Sequence, residues 1–549
     1  MASYRTLEVS DPDHNIPPSD FQMPDGPTLL GHPRGLFLLF FVEMWERFSY
    51  YGMRALLVLY LIENAARDHQ TNDGIINPGR GWEEGSANAL YGVYTGLAYL
   101  LPVAGGFIAD KLLGTHRSMV LGGVLIALGH ISLAISGIGE MAHNALGMSV
   151  FIFGLATIII GTGYFKPCVS TMVGQLYRPG DPKRDGGFSI FYMGINLGAF
   201  LCALVCGTLG QKLGWHWGFG SAAVGMIAGL VMYFIGRPLF LKNIGDPPAG
   251  KPNYLLPLLL VSLGLSALVG WLYHTGTIAS TSTAIGDFIK YTGVLVPIVL
   301  SALILGAIIW FIAIQKRGDR GPTATIFIFM TFNIFFWIAF EQAGSTLNVF
   351  ADKSTELPYV PGWGDKMPST WFQSFNAAFI ILLAPIFTWL WGALGRHNPS
   401  QPVKIALGLL LVGLGYIPMV FAAKLNADNG VLVSMMWLTS LYFIHTLGEL
   451  CLSPTGLSYV TKAAPAKYVS LLMGIWFISS FVANLGGGLI ASQVQKVESG
   501  EIKMPWAGII HFGGRADYFM LFVVLSIGAG LIILGLSPFL KKLMRNPND

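Results

Sequence analysis

Long apolar runs are the feature that most constrains the fold of this chain. A helix of about 20 apolar residues crosses the hydrocarbon core of a bilayer, and the 549-residue sequence contains 14 runs of about that length. Only 11% of the residues are charged, against about 25% in an average soluble domain. The sequence therefore predicts an all-α membrane protein with 14 spans. The spans are predicted near residues 36–62, 87–109, 118–138, 147–173, 188–209, 216–236, 254–273, 291–314, 323–349, 370–393, 404–423, 431–461, 468–494 and 516–538.

The spans fall into an order of six, two and six, which is typical of the major facilitator fold with its two six-helix bundles. The predicted segments are a cytoplasmic tail at 1–35, an N-terminal bundle at 36–236, a linker with two extra transmembrane helices at 237–321, a C-terminal bundle at 322–540 and a tail at 541–549. Lys and Arg are roughly twice as frequent in the loops of one side, and such residues collect in the cytoplasm. We therefore expect both termini in the cytoplasm and the loops at 63–85 and 350–369 outside.

The loop between the second and third spans has a pattern of glycines and charged residues that is similar to a motif of proteins with this fold. It reads Gly106-Phe-Ile-Ala-Asp110-Lys111-Leu-Leu-Gly114-Thr-His-Arg117, which resembles the cytoplasmic Gly-xxx-Asp-Arg/Lys-xx-Gly motif. We expect Gly106 to allow close helix packing, and Asp110 to cap a neighbouring helix or to pair with a loop cation as a gate closes. An ordinary polar loop is the alternative.

The first span carries four charged residues, Glu43, Glu46, Arg47 and Arg54. Each costs about 2.5–3.5 kcal/mol at membrane depth, so a chain that keeps them has a use for them. At about 100° per residue they fall within roughly 140° of arc, a sector that also includes two neighbouring tyrosines. This polar stripe must face protein or a water-filled cavity.

Lys166, Glu341 and Glu449 lie deep in later spans and add to this set of charges. If the two bundles face each other, all seven charged residues meet in a central cavity with a nearly balanced charge, as buried charges usually require. Such a cavity suits a zwitterionic ligand, because its carboxylate and its ammonium group would each find a partner. The alternative is that the charges pair permanently and only fix helix packing.

Aromatic and amide side chains in the spans surround these charges. They are Tyr50, Tyr51, Tyr99, Trp337, Trp476, Asn196, Gln342 and Asn376. Ligand pockets combine apolar walls with a few oriented polar groups, and these residues supply both. Taken singly, each Tyr or Trp is better explained by packing or by the membrane interface.

Five motifs resemble those of the proton-dependent oligopeptide transporter family, and they occur in order across nearly the whole chain. The motifs are Glu43-Met-Trp-Glu46-Arg47-Phe-Ser-Tyr50-Tyr51-Gly52, Gly161-Thr-Gly-Tyr-Phe-Lys166-Pro167-Cys-Val-Ser, Phe188-Ser-Ile-Phe-Tyr192-Met-Gly-Ile-Asn196-Leu-Gly198, Phe336-Trp337-Ile-Ala-Phe-Glu341-Gln342 and Gly448-Glu449-Leu-Cys-Leu-Ser453-Pro454-Thr-Gly456. The two central helices resemble the extra pair found in bacterial members. The resemblance implies proton-coupled import of di- and tripeptides across the bacterial inner membrane by alternating access.

The resemblance also assigns expected roles to individual residues. The substrate-binding residues that it implies are Arg54, Tyr51, Tyr99, Lys166, Asn196, Trp337, Asn376, Glu449 and Trp476, and we expect Tyr50 of the polar stripe to bind substrate beside them. Among them, Arg54, Lys166 and Asn196 would hold the peptide carboxylate, and Glu449 the amino group. The residues implied in proton coupling are Glu43, Glu46, Arg47 and Glu341. The salt bridges Arg54–Glu341 and Lys166–Glu449 would form and break as the bundles rock.

One position departs from the family pattern. Animal members carry a histidine one residue after the tyrosine matching Tyr91, and this chain has Gly92 there. Carboxylates must then carry the proton. His445, one turn before Glu449, is a candidate modulator, although a packed and hydrogen-bonded histidine explains it better.

Other functions fit these residues less well than peptide transport. The runner-up is a proton-coupled carrier of nitrate or another small anion on the same fold. A membrane-embedded enzyme would need a nucleophile–base pair or a metal cluster, and no sequence motif for either falls in a suitable place. A channel or receptor would not obviously need charges divided between two bundles. The expectation is a monomer that is not an enzyme, has no metal or cofactor other than coupled protons, and has no nucleic-acid partner.

Overall fold

Helices account for most of the structure, a computed structural model that describes residues 28–544 except 71–73, 179–180, 248–249, 251, 293–294, 363 and 507–511. The helices are α1 (Arg34–Ile62), α2 (Glu84–Ile108), α3 (Gly114–Ser136), α4 (Ala145–Gln175), α5 (Arg184–Cys202), α6 (Thr208–Lys212), α7 (Trp215–Phe240), α8 (Leu255–His274), α9 (Thr277–Thr292), α10 (Leu295–Ala313), α11 (Arg317–Phe340), α12 (Thr346–Lys353), α13 (Phe372–Ala393), α14 (Gln401–Asn429), α15 (Met436–Ala463), α16 (Val469–Ala491), α17 (Val494–Glu498) and α18 (Gly514–Leu543). All but the short α6, α9, α12 and α17 coincide with the 14 predicted spans, which confirms the predicted fold class. Most of the predicted N-terminal tail lies outside the described residues.

Among the described residues, two pairs of two-residue strands form, in addition to isolated β-bridges at Gln70–Ile76 and Tyr359–Lys366. Strand β1 (Thr28–Leu29) pairs antiparallel with β2 (His32–Pro33) just before α1. Strand β3 (Thr355–Glu356) pairs in parallel with β4 (Val433–Ser434). The second pair ties the loop after α12 to the start of α15. This explains why α15 begins at Met436, five residues after the predicted start of that span.

Length and composition support membrane insertion. Among the described residues, ten helical segments are long and apolar enough to cross a bilayer. Helix α1 is not one of them, because its charged residues lower its mean hydropathy. Its cost of insertion is offset only if those charges are partnered inside the protein.

Two six-helix bundles lie side by side. In the first, α1 packs against α5 and α7, and α3 packs against α4; in the second, α14 packs against α15 and α18. Each bundle gives two helices to the interface between them, since α2 packs against α16 and α5 against α13. The two extra helices are divided, with α8 on α4 and α10 on α11.

Two predicted spans are interrupted. Helix α5 continues through a π-helical turn, Ala203–Gly207, into α6. Helix α11 ends at Phe340 and is followed by a 3-10 turn at Glu341–Gly344. Helix α12 then continues the chain to Lys353. The prediction of one continuous helix over 323–349 is therefore wrong at Glu341, which lies at the break.

The loop motif after α2 packs differently from the prediction. A Cβ added at Gly105 would lie 1.9 Å from the carbonyl oxygen of Gly163, whereas at Gly106 the nearest atom would be Pro167 Cβ at 3.6 Å. The close helix contact is thus made by Gly105, and the prediction for Gly106 is wrong by one residue. One residue is a rotation of about 100° around the helix, which sequence spacing does not resolve.

The polar positions of the motif remain accessible. Asp110 and Lys111 are exposed and Arg117 is half-buried. Gly114 has φ +74°, a left-handed conformation that favours glycine, and a Cβ there would lie 2.7 Å from the Asp246 carbonyl oxygen. The role of Asp110 in a closing gate stays a prediction.

We expect Gly92→Ala to weaken the packing of the two bundles. A Cβ at Gly92 would lie 2.6 Å from Gly488 Cα, so α2 and α16 would have to separate. Overpacking of this kind costs about 1–3 kcal/mol. The matched control is Gly264→Ala in α8, where the added Cβ has no heavy atom within 4 Å. Thermal unfolding in detergent should show a lower midpoint for Gly92→Ala alone, and equal midpoints for the two variants would contradict the expectation.

Candidate substrate and proton site

The first half of α1 carries a buried cluster of three charged side chains. Arg47 Nε lies 3.0 Å from Glu43 Oε1 and 2.5 Å from Glu46 Oε2. All three side chains are buried. One guanidinium therefore faces two carboxylates, so the group carries one net negative charge until it binds a proton or meets another cation.

Arg54 joins the two bundles through Glu341. Its Nη2 pairs with Glu341 Oε2, and its Nε donates a 2.9 Å hydrogen bond to the Tyr91 hydroxyl. Both charged side chains are buried. The tyrosine fits only because Gly344 lacks a side chain: a Cβ there would lie 2.0 Å from the Tyr91 hydroxyl oxygen. The Arg54–Glu341 salt bridge predicted from the sequence is formed in this conformation.

Tyr50 and Tyr51 lie between these two charged groups. The guanidinium carbons of Arg47 and Arg54 are 5.3 Å and 5.5 Å from the centroid of the Tyr50 ring. Arg54 is also 5.5 Å from the centroid of Tyr51. Aromatic faces attract cations at this range, so the rings help to keep two guanidinium groups close together on one helix.

Lys166 of α4 is not paired with Glu449. Its ammonium lies 3.7 Å from the centroid of the Tyr99 ring, and no described carboxylate is within ion-pair distance of it. It does lie close enough to Glu43 and Glu46 to act on both electrostatically. With Lys166 included, the two carboxylates of α1 face two cations.

The Glu449 carboxylate of α15 accepts a hydrogen bond from an amide side chain and is not paired with a described cation. Asn376 Nδ2 donates to Glu449 Oε2 at 2.9 Å and to Thr446 Oγ1 at 3.1 Å. Glu449 is only 8% exposed. Among the described residues no Lys or Arg lies within ion-pair distance of this carboxylate. The predicted Lys166–Glu449 bridge is therefore open in this conformation, and its cycle of forming and breaking stays a prediction.

The remaining predicted residues are tied to their own bundles. Asn196 Nδ2 donates to the Tyr192 carbonyl oxygen at 2.9 Å, and Trp337 Nε1 donates to Asn333 Oδ1 at 3.1 Å. Trp476 packs its ring edge against Gly456, where a Cβ would lie 2.5 Å away. His445 Nε2 is 3.2 Å from the Val412 carbonyl oxygen, which is the packed and hydrogen-bonded arrangement that the sequence favoured.

Sequence reasoning assigned no role to Tyr91. Its hydroxyl accepts from Arg54 and so belongs to the link between the bundles. A signal was available, because Tyr91, Thr95 and Tyr99 recur every four residues and so share one face of α2. Asn333 is a second such residue, since its amide joins Trp337 to the Ser479 hydroxyl at 3.2 Å.

The hydrogen bonds and ion pairs that cross between the bundles are concentrated at one end. We call it the Ile62 end, because α1 ends there at Ile62. Glu84 of α2 pairs with Arg515 of α18 at 2.7 Å, and Asn88 Nδ2 donates to the Ala491 carbonyl oxygen at 3.2 Å. Lys212 pairs with Asp365 at 2.9 Å. Within the described ranges, the other such contacts lie between this end and the level of Arg54 and Glu341.

A buried, charge-lined interface between two six-helix bundles defines a secondary transporter of the major facilitator type. The family model described as "POT family" matches residues 116–506, and the chain belongs to that family.

Named relatives and solved structures agree with this assignment. A "Peptide transporter YePEPT" of Yersinia enterocolitica is 38% identical over 86% of this chain and 90% of its own. A "Di-/tripeptide transporter" of Lactococcus lactis subsp. cremoris is 36% identical over 94% of this chain and 97% of its own. A crystal structure of a "peptide transporter POT in complex with sulfate" has a TM-score of 0.74 at 36% identity, covering 94% and 97% of the two chains.

Proposed function

We propose that this protein is a proton-coupled symporter that imports di- and tripeptides by alternating access. The observation that carries the proposal is the separation of Lys166 from Glu449. Among the described residues, a buried carboxylate with no Lys or Arg at ion-pair distance lies on one bundle, and a half-buried ammonium with no carboxylate at ion-pair distance lies on the other. A peptide with free termini supplies the missing partner of each.

The peptide termini are expected to divide between the bundles. The ammonium group would approach Glu449, with the Asn376 amide fixing that carboxylate, and the peptide carboxylate would approach Lys166 and Arg54. A ligand held in this way connects the two bundles, so its binding favours the arrangement in which they approach each other. Trp337 and Trp476 would wall the side-chain pockets.

We assign proton coupling to the carboxylates that are paired with arginines. A proton on Glu341 would release Arg54 from its partner, and a proton on Glu43 or Glu46 would leave Arg47 balanced by a single carboxylate. The freed guanidinium of Arg54 or Arg47 would then bind the peptide carboxylate. Loss of the proton and the peptide on the other side would restore the pairs. Each charge that moves through the membrane field contributes about 2.3 kcal/mol per 100 mV.

The orientation in the membrane decides which side of the protein is closed in this structure. The excess of Lys and Arg in the opposite loops supports an outward-facing Ile62 end, with both termini in the cytoplasm of a bacterial inner membrane. Contacts between the bundles at the Ile62 end then close the outer side, and the peptide site opens to the cytoplasm. The related proteins are named peptide transporters and lend no support to a nitrate carrier. A monomer suffices for this mechanism, because both halves of the site come from one chain.

We expect Glu46→Gln to uncouple transport from the proton gradient. Glu46 is fully buried against Arg47, and glutamine keeps its size while removing the proton-binding group. Proton-driven uptake of dialanine into liposomes should fall at least about tenfold, since the buried Glu46–Arg47 ion pair loses its carboxylate. Exchange of labelled for unlabelled dipeptide without a gradient should continue. Unchanged proton-driven uptake would remove Glu46 from the coupling mechanism.

A further inference from the structure

The part of the chain from the break at Glu341 through α12 presents polar side chains to the opposite bundle. Asn348 and Asp352 are four residues apart and so share one face of α12, while Glu341 lies at the break before that helix and pairs with Arg54. Asn348 Nδ2 donates to the Ala55 carbonyl oxygen at 2.9 Å, and Asp352 Oδ1 accepts from Gln211 Nε2 at 3.1 Å. The proposed transport mechanism uses only the contact between Glu341 and Arg54. Of these three residues, Asp352 lies nearest the outer end of the protein.

The Gln211 side chain of α6 is fully hydrogen-bonded to the C-terminal bundle. Its Nε2 donates to Asp352 Oδ1 at 3.1 Å and to Ser369 Oγ at 2.8 Å. Its Oε1 accepts from Thr370 N at 3.1 Å and from Thr370 Oγ1 at 2.9 Å. The Ser369 hydroxyl in turn donates to Asp352 at 2.7 Å. Both donors and both lone pairs of one amide are thus used across the bundle interface, which demands one specific arrangement.

The backbone is shaped to bring these groups together. A Cβ at Gly207, in the π-helical turn before α6, would lie 2.2 Å from Thr370 Oγ1. Beside it, Trp371 Nε1 donates to Thr208 Oγ1 at 2.8 Å. The interrupted helix therefore lets the 369–371 turn approach α6 closely.

Water can reach this contact. A cavity of about 350 Å³ adjoins it, lined by Gln211, Asp352 and Ser369 and by charged side chains that include Glu63 and Lys366. When the bundles separate, water can replace each lost hydrogen bond, so the contact opens reversibly. Elsewhere each bundle keeps an apolar core largely its own. A polar contact between the two bundles that lies beside water can therefore break and form again repeatedly.

We propose that Gln211, Asp352, Ser369 and Thr370 form a latch, the Gln211 latch, that holds the outer end closed independently of the Arg54–Glu341 salt bridge. The inference rests on the proposed alternating-access mechanism and adds further residues to it. Gln211 acts as a positioning residue: it touches neither peptide nor coupled proton, and it sets how much of the population has the outer end closed.

A spectroscopic distance across the outer end tests the latch. Spin labels at Leu146→Cys and Val431→Cys report on one bundle each, because both positions are exposed. The native cysteines are all buried, so the introduced pair takes the label. We expect Gln211→Glu to raise the ratio of long to short distances about fivefold or more, since it sets a carboxylate against Asp352. Adding Asp352→Asn should restore the short distance, because amide and carboxylate have then exchanged places.

The matched control is Glu140→Gln, which breaks an exposed pair with Arg67 within one bundle at the same end. It should leave the distances unchanged. If Gln211→Glu does not fold, Ser369→Ala takes its place and should shift the distances in the same direction. An unchanged distribution, a double variant that is not restored, or an equal shift in the control would each overturn the latch. The measurement uses neither peptide nor proton gradient, so a failure of the proposed function would leave its result standing.

Discussion

Replacing Glu341 by Gln should lower proton-driven peptide uptake by about 100-fold or more, the largest effect that we expect from a single neutral substitution. Glu341 is the carboxylate that pairs with Arg54 across the bundles. Glutamine has the same size and cannot bind the coupled proton. It also removes the negative charge opposite the buried Arg54 guanidinium, and removing one member of a buried ion pair costs about 3–5 kcal/mol.

Two transport assays separate coupling from binding in this variant. Uptake of labelled dialanine into liposomes under an inward proton gradient should be nearly lost, while exchange against internal unlabelled peptide should persist. Glu356→Gln makes the same chemical change at an exposed residue and should behave as wild type. Equal loss of uptake and exchange would mean that Glu341 serves folding or binding and not coupling.

Replacing Glu449 by Gln should weaken binding of ordinary dipeptides by about 30-fold or more. The carboxylate is buried and held by Asn376, with no described cation at ion-pair distance, so the peptide ammonium is its expected partner. Losing one partner of a buried charge pair costs about 2–5 kcal/mol. A dipeptide with an acetylated amino group carries no ammonium and should lose little.

Competition against labelled dialanine measures both ligands in one assay. The ratio of inhibition constants for dialanine and N-acetyl-dialanine should approach one in the Glu449→Gln variant. Asn376→Ala provides a graded comparison, since it removes the amide that fixes the carboxylate but keeps the charge. If both ligands weaken to the same degree in Glu449→Gln, Glu449 is not the ammonium site.

The sequence was sufficient to predict the helices and most of the charged site. Apolar runs of bilayer length predicted all 14 long helices, because the membrane leaves few other ways to satisfy the backbone. The cost of buried charge indicated that Glu43, Glu46, Arg47 and Arg54 face the interior. The structure places these four residues in buried ion pairs.

Contacts that depend on a rotation of one residue or on the conformational state were not predictable. The close approach at Gly105, one position from the predicted Gly106, depends on the axial rotation of α2 against α4. The 3-10 turn at Glu341–Gly344 contains Gly344, but a single glycine inside an apolar run does not by itself predict a break. The position of Lys166 over Tyr99, and not against Glu449, depends on how the two bundles are arranged, which the pattern of charges in the sequence does not specify.

The most direct test of the central claim is uptake of labelled dialanine into liposomes that contain the purified protein. An inward proton gradient and a negative interior should accumulate the dipeptide above its external concentration, and collapsing both gradients should abolish accumulation. Labelled nitrate under the same conditions should not accumulate. Accumulation of nitrate without dialanine, or dialanine uptake that does not respond to the gradients, would contradict proton-coupled peptide symport.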